Sequence, residues 1–256
     1  MDTPILSTMV VLYNTNLTFD TTVLLNTLPL NSEIIKIEKR GVGKRGESKR
    51  DKIKRRSKKE TTTNNNTGFC HNSITLVMMN NGGGELVEKE VTVKIFQNGV
   101  FHMTGILDER YDKCAIQSLL TTIWENCQDA LKNKPEMWEI TKRRVVLMNY
   151  ITKLSSNLTV PRELLHNTIR TLKMENIKSH YDPDVYPAVK INIGPAKWTA
   201  KIFRTGKIIL TGVTSADEIN VFMSSLLCLF EKALPQTLKQ ESTSNKVAQL
   251  LAQTVL

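Results

Sequence analysis

Cysteine is scarce in this chain. Cys70, Cys114, Cys127 and Cys228 are scattered, with no CxxC pair. That spacing excludes a disulfide framework and a zinc ribbon, so the four read as reduced core thiols. Histidine is equally rare, and His71, His102, His166 and His180 do not stand with Cys or Asp at metal-ligand spacing. No metal and no cofactor is expected. No apolar run reaches the ~18 residues a bilayer demands, and no basic stretch precedes Ile5–Leu12 to suggest a secretory signal. Gly82–Gly84 is not followed by Gly-Lys-Ser/Thr, which excludes a phosphate loop. With no catalytic constellation left, an enzyme, a small-molecule substrate and a membrane partner are not expected.

What is present is hydrophobic residue enough for a folded core, 40% of 256 residues, and a net charge of +10. The charge is local. Lys39–Lys59 holds twelve Lys/Arg and two acids, which accounts for the whole net charge and leaves 23 basic and 23 acidic residues elsewhere. The basic run continues into a Thr/Asn-rich stretch, and Lys39–Gly68 has only Val42 and Ile53 as clearly apolar residues. Such a segment buries too little surface to offset its ordering entropy, so it is expected to be a disordered insertion. It reads as a solvated loop, as a nuclear-localisation patch (IKRRSKK), or as an arm gripping phosphates.

The rest is organised around a repeated hairpin. Val93–Gly105 (VKIFQNGVFHMTG) and Ala200–Gly212 (AKIFRTGKIILTG) share Lys, Ile, Phe, a turn glycine and a closing Thr-Gly, with 107 residues between Lys94 and Lys201. A second echo links Asn16–Leu28 to Asn157–Ile169 at a spacing of 141. Shared punctuation at fixed spacing marks an internal duplication. The 34-residue difference between the spacings places extra chain between helix and hairpin of the first repeat, where the basic insertion lies.

Each repeat reads as strand, helix, four strands, long helix. In the first these are Ile5–Tyr13, a short helix capped by Asp20, Ser32–Glu38, Cys70–Met79, Lys89–Phe96, Val100–Thr104 and a helix over Tyr111–Lys132. In the second they are Arg144–Leu154, a helix within Asn157–Ile169, Glu175–Lys178, Val185–Ile193, Lys197–Phe203, Lys207–Thr211 and a helix carrying Ile219 to Phe230. Gly194-Pro195 is the expected turn between the second repeat's middle strands. Gln236–Leu256 reads as a polar tail, helical at best. Hairpin connections predict an antiparallel α+β fold with helices on one sheet face. Alternation then puts Trp198, Ala200 and Ile202 on one face and Thr199, Lys201 and Phe203 on the other, with Thr92, Lys94, Phe96, His102 and Thr104 corresponding in the first repeat. One set packs on the helices. The other leaves Phe96, Phe203 and Ile209 without cover, the mark of an interface.

YDPDVYPAVKINI at Tyr181–Ile193 and IFRTGKIILTG at Ile202–Gly212 resemble the Tyr-x-Pro-x-x-Phe-Pro segment and the signature hairpin of the TATA-box-binding protein family. The resemblance covers roughly Thr3–Lys132, with its insertion at 39–68, and Lys142–Leu234, leaving the tail 235–256. It is stronger in the second repeat, and the divergence and inserted loop suggest a member from a large DNA virus. It implies a two-repeat saddle with one curved antiparallel sheet, concave toward the DNA minor groove, and convex helices facing other factors. Apolar wedges would unstack base steps and kink the duplex.

Carried over by position, Tyr186 and Phe203 are the second wedge pair. Phe96 is the first repeat's wedge, with Phe69 or His71 beside it. Asn149 matches a groove-reading asparagine, replaced in the first repeat by Thr8. Thr104 and Thr211 match groove threonines, and Val10, Ile151 and Ile209 match apolar groove contacts. Lys94 and Lys201 stand where the family has leucine, and His102 where it has valine.

Three functions stay open. The first is an initiation factor that bends AT-rich promoter DNA and recruits a factor-IIB-like partner and RNA polymerase, acting in a nucleus or, for a virus, in a virion or cytoplasmic factory. The others are an architectural DNA binder of low specificity and a saddle-shaped protein-interaction module.

Overall fold

Alternating apolar residues build strands throughout, and the chain divides into two compact units, Thr8–Val146 and Met1–Ser7 with Leu147–Leu256. The computed structural model describes residues 1–52, 72–154, 159–194 and 197–254, with the side chains of 50 and 238–254 excepted. Phe69, His71, Cys70, the IKRRSKK patch and Pro195 lie outside the described residues. No helix described is long and apolar enough to cross a membrane.

The elements run β1 (Ile5–Thr15), α1 (Thr21–Thr27), β2 (Ile34–Lys39), β3 (Gly43–Gly46), α2 (Lys49–Lys52), β4 (Ser73–Asn80), β5 (Lys89–Phe96), β6 (Val100–Ile106) and α3 (Glu109–Asn126). They continue with β7 (Ile140–Lys153), α4 (Arg162–Leu172), β8 (Ile177–His180), β9 (Val189–Ile193), β10 (Trp198–Ile202), β11 (Lys207–Val213) and α5 (Ala216–Thr254). In the unit Thr8–Val146 the strand order is β3-β2-β4-β5-β6-β1, and in the other it is β7-β11-β10-β9-β8. Every strand pair within the units is antiparallel.

The repeated hairpin keeps its register. Thr92 faces Thr104 and Lys94 faces His102, while Thr199 faces Thr211 and Lys201 faces Ile209. The closing Thr-Gly has a mechanical reason. Both glycines sit where the strand register slips, with φ of +84° at Gly105 and +92° at Gly212. A Cβ at Gly212 would meet the Lys197 carbonyl oxygen at 2.0 Å. Only glycine fits such a bulge.

The helix-facing residues make the cores. In the first unit Leu24, Ile116, Leu119, Leu120 and Ile123 pack on Ile74, Leu76, Val93, Ile95 and Met103, all buried. Phe19 meets Phe101 edge-on at 5.7 Å. In the second unit Leu165, Phe222, Leu226 and Phe230 cover Ile191, Ala200, Ile202, Ile208 and Leu210. Trp198 stacks on Phe222 at 5.3 Å. Asp20 caps α1 by accepting from the amides of Thr22 and Val23, whereas its counterpart Pro161 gives α4 no side-chain cap.

Three expectations change. The basic insertion is not disordered from Lys39 onward. Its first fourteen residues form the end of β2, then β3 and α2. Composition weighed only apolar burial, but hydrogen bonds order this stretch. Lys39 Nζ donates to the hydroxyls of Thr21 and Thr22, and Arg45 Nη1 donates to the carbonyls of Leu25, Asn26 and Leu28 at the end of α1. Arg45 thus satisfies the orphan carbonyls at the C-terminal end of α1, where a cation suits the helix dipole, and Lys39 is tied to two hydroxyls of its first turn. The helix expected over Tyr111–Lys132 stops at Asn126. Cys127 leaves helical geometry at φ −129°, and the following chain is held by Phe19 pairing with Leu131 and by the Lys132 amide donating to Thr18 O. The tail is helix as well, since α5 runs through Pro235 to Thr254.

Candidate nucleic-acid interface

The face opposite the helices is open, as alternation predicts. In the second unit the cross-strand pairs Ile151–Ile209, Ile209–Lys201, Lys201–Lys190 and Lys190–His180 trace one row, and Thr211–Thr199, Thr199–Asn192 and Asn192–Lys178 trace the next. Helix-side Ala200, Ile202, Ile208 and Leu210 are buried, whereas Thr199, Lys201, Ile209 and Thr211 remain partly exposed. Strands β7 to β11 contain no aspartate or glutamate. Lys153, Lys178, Lys190, Lys201 and Lys207 all lie on the open side, which gives this face a cationic field.

Tyr186 and Phe203 come together on this unit. Their ring centroids are 6.0 Å apart at 63°, and both rings are partly exposed. Tyr186 is held by its amide donating to Asp182 O, in a turn where Asp182 also accepts from the Asp184 amide. Lys190 Nζ sits 5.0 Å from the Tyr186 centroid, a cation–π contact that fixes the ring. Lys190 is a residue that sequence reasoning missed. The period-2 pattern of Val189–Ile193 carries the signal, since Lys190 and Asn192 alternate with buried Val189, Ile191 and Ile193.

Asn149 lies partly exposed on β7, and its Oδ1 is buried with no hydrogen-bond partner among the described residues. Thr211 donates to Thr199 O at 3.3 Å, and Thr199 in turn donates to Asn192 Oδ1 at 3.0 Å.

In the first unit Thr8 and Val10 occupy β1 beside buried Met9 and Val11, and Thr104, His102, Lys94 and Phe96 share the open side of β5–β6. Lys94 is exposed, and the others are partly so. Burial first, then the Lys94 ammonium, holds the His102 imidazole below its ordinary value. The structure thus puts the described candidates of each repeat on one sheet face. It also puts there two acids that sequence reasoning passed over, Glu38 and Glu90, the only acids in this unit's strands β1 to β6.

Comparison with known proteins follows the same division between the repeats. Residues 158–233 match the family described as transcription factor TFIID, or TATA-binding protein. TATA-box-binding protein E of Halobacterium salinarum is 31% identical over 81 residues, which are 32% of this chain and 42% of that protein. In structure the chain is similar to the TATA-binding protein of Methanococcus jannaschii, with a TM-score of 0.53 over 90% of this chain and 99% of the other. At 14% identity that likeness shows the fold, and it extends over both repeats. The sequence of the second repeat is thus similar to the TATA-binding protein family, and both repeats share the fold of a TATA-binding protein.

Proposed function

We propose that the chain is a transcription initiation factor that binds the minor groove of AT-rich promoter DNA through its open sheet face and bends it. The observation that carries this reading is the Tyr186–Phe203 pair, two partly exposed rings 6.0 Å apart beside lysine-bearing strands that contain no acid. An unpaired aromatic pair beside cations suits a stacked, polyanionic ligand. The rings enter a base step, and the lysines take phosphates. Unstacking costs about a few kcal/mol per step and is offset by the larger contact surface of the bent duplex.

Sequence preference follows from the groove floor. A·T pairs present only acceptors there, and guanine adds a donor. Asn149 stands on this face with a side-chain amide able to donate, while Val10, Ile151 and Ile209 supply apolar contact. Phe96 is the first repeat's wedge. The family's membership in the initiation machinery makes a factor-IIB-like protein and RNA polymerase the partners, at the chromosome or genome being transcribed. Lys94 and Lys201, standing on the groove side, support a second reading in which the same face binds DNA architecturally with little sequence preference.

A fluorescence bend assay on end-labelled AT-rich and GC-rich duplexes over a salt series tests both. Bending of the AT-rich duplex alone supports the initiation factor. Equal binding to both without bending, lost steeply with salt, supports the architectural reading. No binding to either leaves the protein-interaction module.

A further inference from the structure

The open face of the first unit carries a segment that the second unit lacks. After β3 the chain turns back, and Ser48–Lys52 is pinned to that face at two points. Asp51 Oδ1 lies 3.0 Å from Lys36 Nζ and 3.4 Å from Lys44 Nζ. Across the sheet, the Lys49 amide donates to Glu90 Oε1 at 2.7 Å. Asp51 Oδ2 also accepts from the amide and hydroxyl of Ser48, at 2.8 and 2.9 Å, closing the turn on itself.

Lys36 is paired with Val77, and Val77 with Thr92, on the same face as Lys94 and Phe96. Val77 is nevertheless only 6% exposed and Ser48 only 3%. The position equivalent to Val77 in the second repeat is Asn192, which is exposed and pairs with Thr199 just as Val77 pairs with Thr92. The same site is covered in one repeat and bare in the other. The Ser48 amide and Lys36 hold the Asp51 carboxyl well below the usual carboxylate range, so it is an anion at neutral pH.

We infer that Ser48–Lys52 is a built-in competitor for DNA, in which the Asp51 carboxylate takes the place of a phosphate between Lys36 and Lys44 and holds the start of the basic insertion against the first repeat's open face. A phosphate and a carboxylate ask for the same donors. DNA that reaches this part of the face displaces Asp51, which frees Lys44 and leaves Lys36 with Glu38 alone, 2.7 Å away. The inference rests on the proposal that this face binds DNA.

Asp51→Asn keeps the size of the side chain and removes its charge. Two readouts are needed, amide hydrogen exchange at Ser48 and Lys49 without DNA, and affinity for a fluorescein-labelled AT-rich duplex over a salt series. The variant should exchange both amides faster and bind more tightly, on the order of tenfold near 0.1 M salt, with a salt slope steeper by about 1 as Lys44 joins the contact. Glu90→Ala, which removes the acceptor at the Lys49 end only, should show a smaller gain in both. Faster exchange with unchanged affinity overturns the inference and leaves the DNA reading standing. Tighter binding with unchanged exchange means only that an acid was removed from a cationic face, and it also overturns the inference. If neither the natural protein nor the variant binds the duplex, the DNA reading itself fails, and the competitor falls with it.

Discussion

The two repeats share strand register and helix-facing pattern, yet their open faces have different chemistry. In the second, five lysines and the Tyr186–Phe203 pair stand on strands without an acid. In the first, Glu38 and Glu90 join the face, Lys36 is ion-paired to Glu38 at 2.7 Å and to Asp51, and Val77 is covered. Burial constrains the two faces differently. Helix-side residues such as Ile95 and Ile202 are held by close packing, where a change of one methylene is felt. Open-face residues answer only to what binds there. The family match confined to residues 158–233 falls on the repeat whose face is bare.

The units differ inside as well. Asp112 is fully buried, bonded by the Tyr13 hydroxyl at 2.6 Å and by Arg143 Nε at 2.8 Å. At the positions equivalent by repeat spacing, the second unit has Ile219 and Leu154. Burial, and then the Asp112 carboxylate, push the Tyr13 hydroxyl above its ordinary value, so it stays a donor. This contrast gives the largest expected effect. Arg143→Ala leaves a buried carboxylate without its cation and should cost about 3–5 kcal/mol in urea unfolding. Replacing Tyr13, Asp112 and Arg143 together by leucine and isoleucine should recover most of it. If the single change costs under about 1 kcal/mol, the ion pair is not what holds Asp112.

Next in size is the wedge. Tyr186→Ala with Phe203→Ala should abolish bending and weaken binding by about 2–3 kcal/mol, taking stacking at about 1–3 kcal/mol per base. Phe96→Ala should cost less, because its repeat is partly covered. Equal loss from the two repeats, read in the same bend assay, would erase the asymmetry proposed here. Smaller again is the lysine pair. Lys94→Leu and Lys201→Leu should each lower the salt slope by about 1 and sharpen the preference for AT-rich over GC-rich duplex. A flatter slope without a change in preference would mean that the lysines reach phosphate but do not disturb the groove floor.

Much of this was legible in the residues. Period-2 alternation separated Lys201 and Phe203 from Ala200 and Ile202, because a half-buried strand must segregate its faces. The repeated Thr-Gly marked hairpin ends, because only glycine tolerates the bulges at 105 and 212. What escaped was set by polar contacts over distance. Nothing in Lys39–Lys52 announces that Arg45 will meet the last carbonyls of α1, or that Asp51 will find Lys36. Charge counting treats such residues as solvated, whereas each is satisfied by a specific acceptor that composition does not contain. The end of α3 escaped for a similar reason, since the apolar stripe continues to Cys127 while the backbone leaves the helix to pair with Phe19.

The finest contrast between the repeats is His102, whose counterpart is Ile209. Only the first can titrate. Its native value lies below 6.5 because of burial and the Lys94 ammonium, with Leu12 paired across on the other side. The native state therefore disfavours the proton that the unfolded chain accepts. The stabilising contribution is fully present above about pH 6.5 and is lost as pH falls through the native value. Unfolding at pH 7.5 and pH 5 should show a small loss at the lower pH, and His102→Ile should remove that part of it. DNA reverses the sign. Phosphates beside the ring favour imidazolium, so binding takes up a proton, and affinity should rise as pH falls from 7.5 to 6 in the natural protein but not in His102→Ile. If both proteins gain equally, the proton goes elsewhere and His102 does not face the duplex.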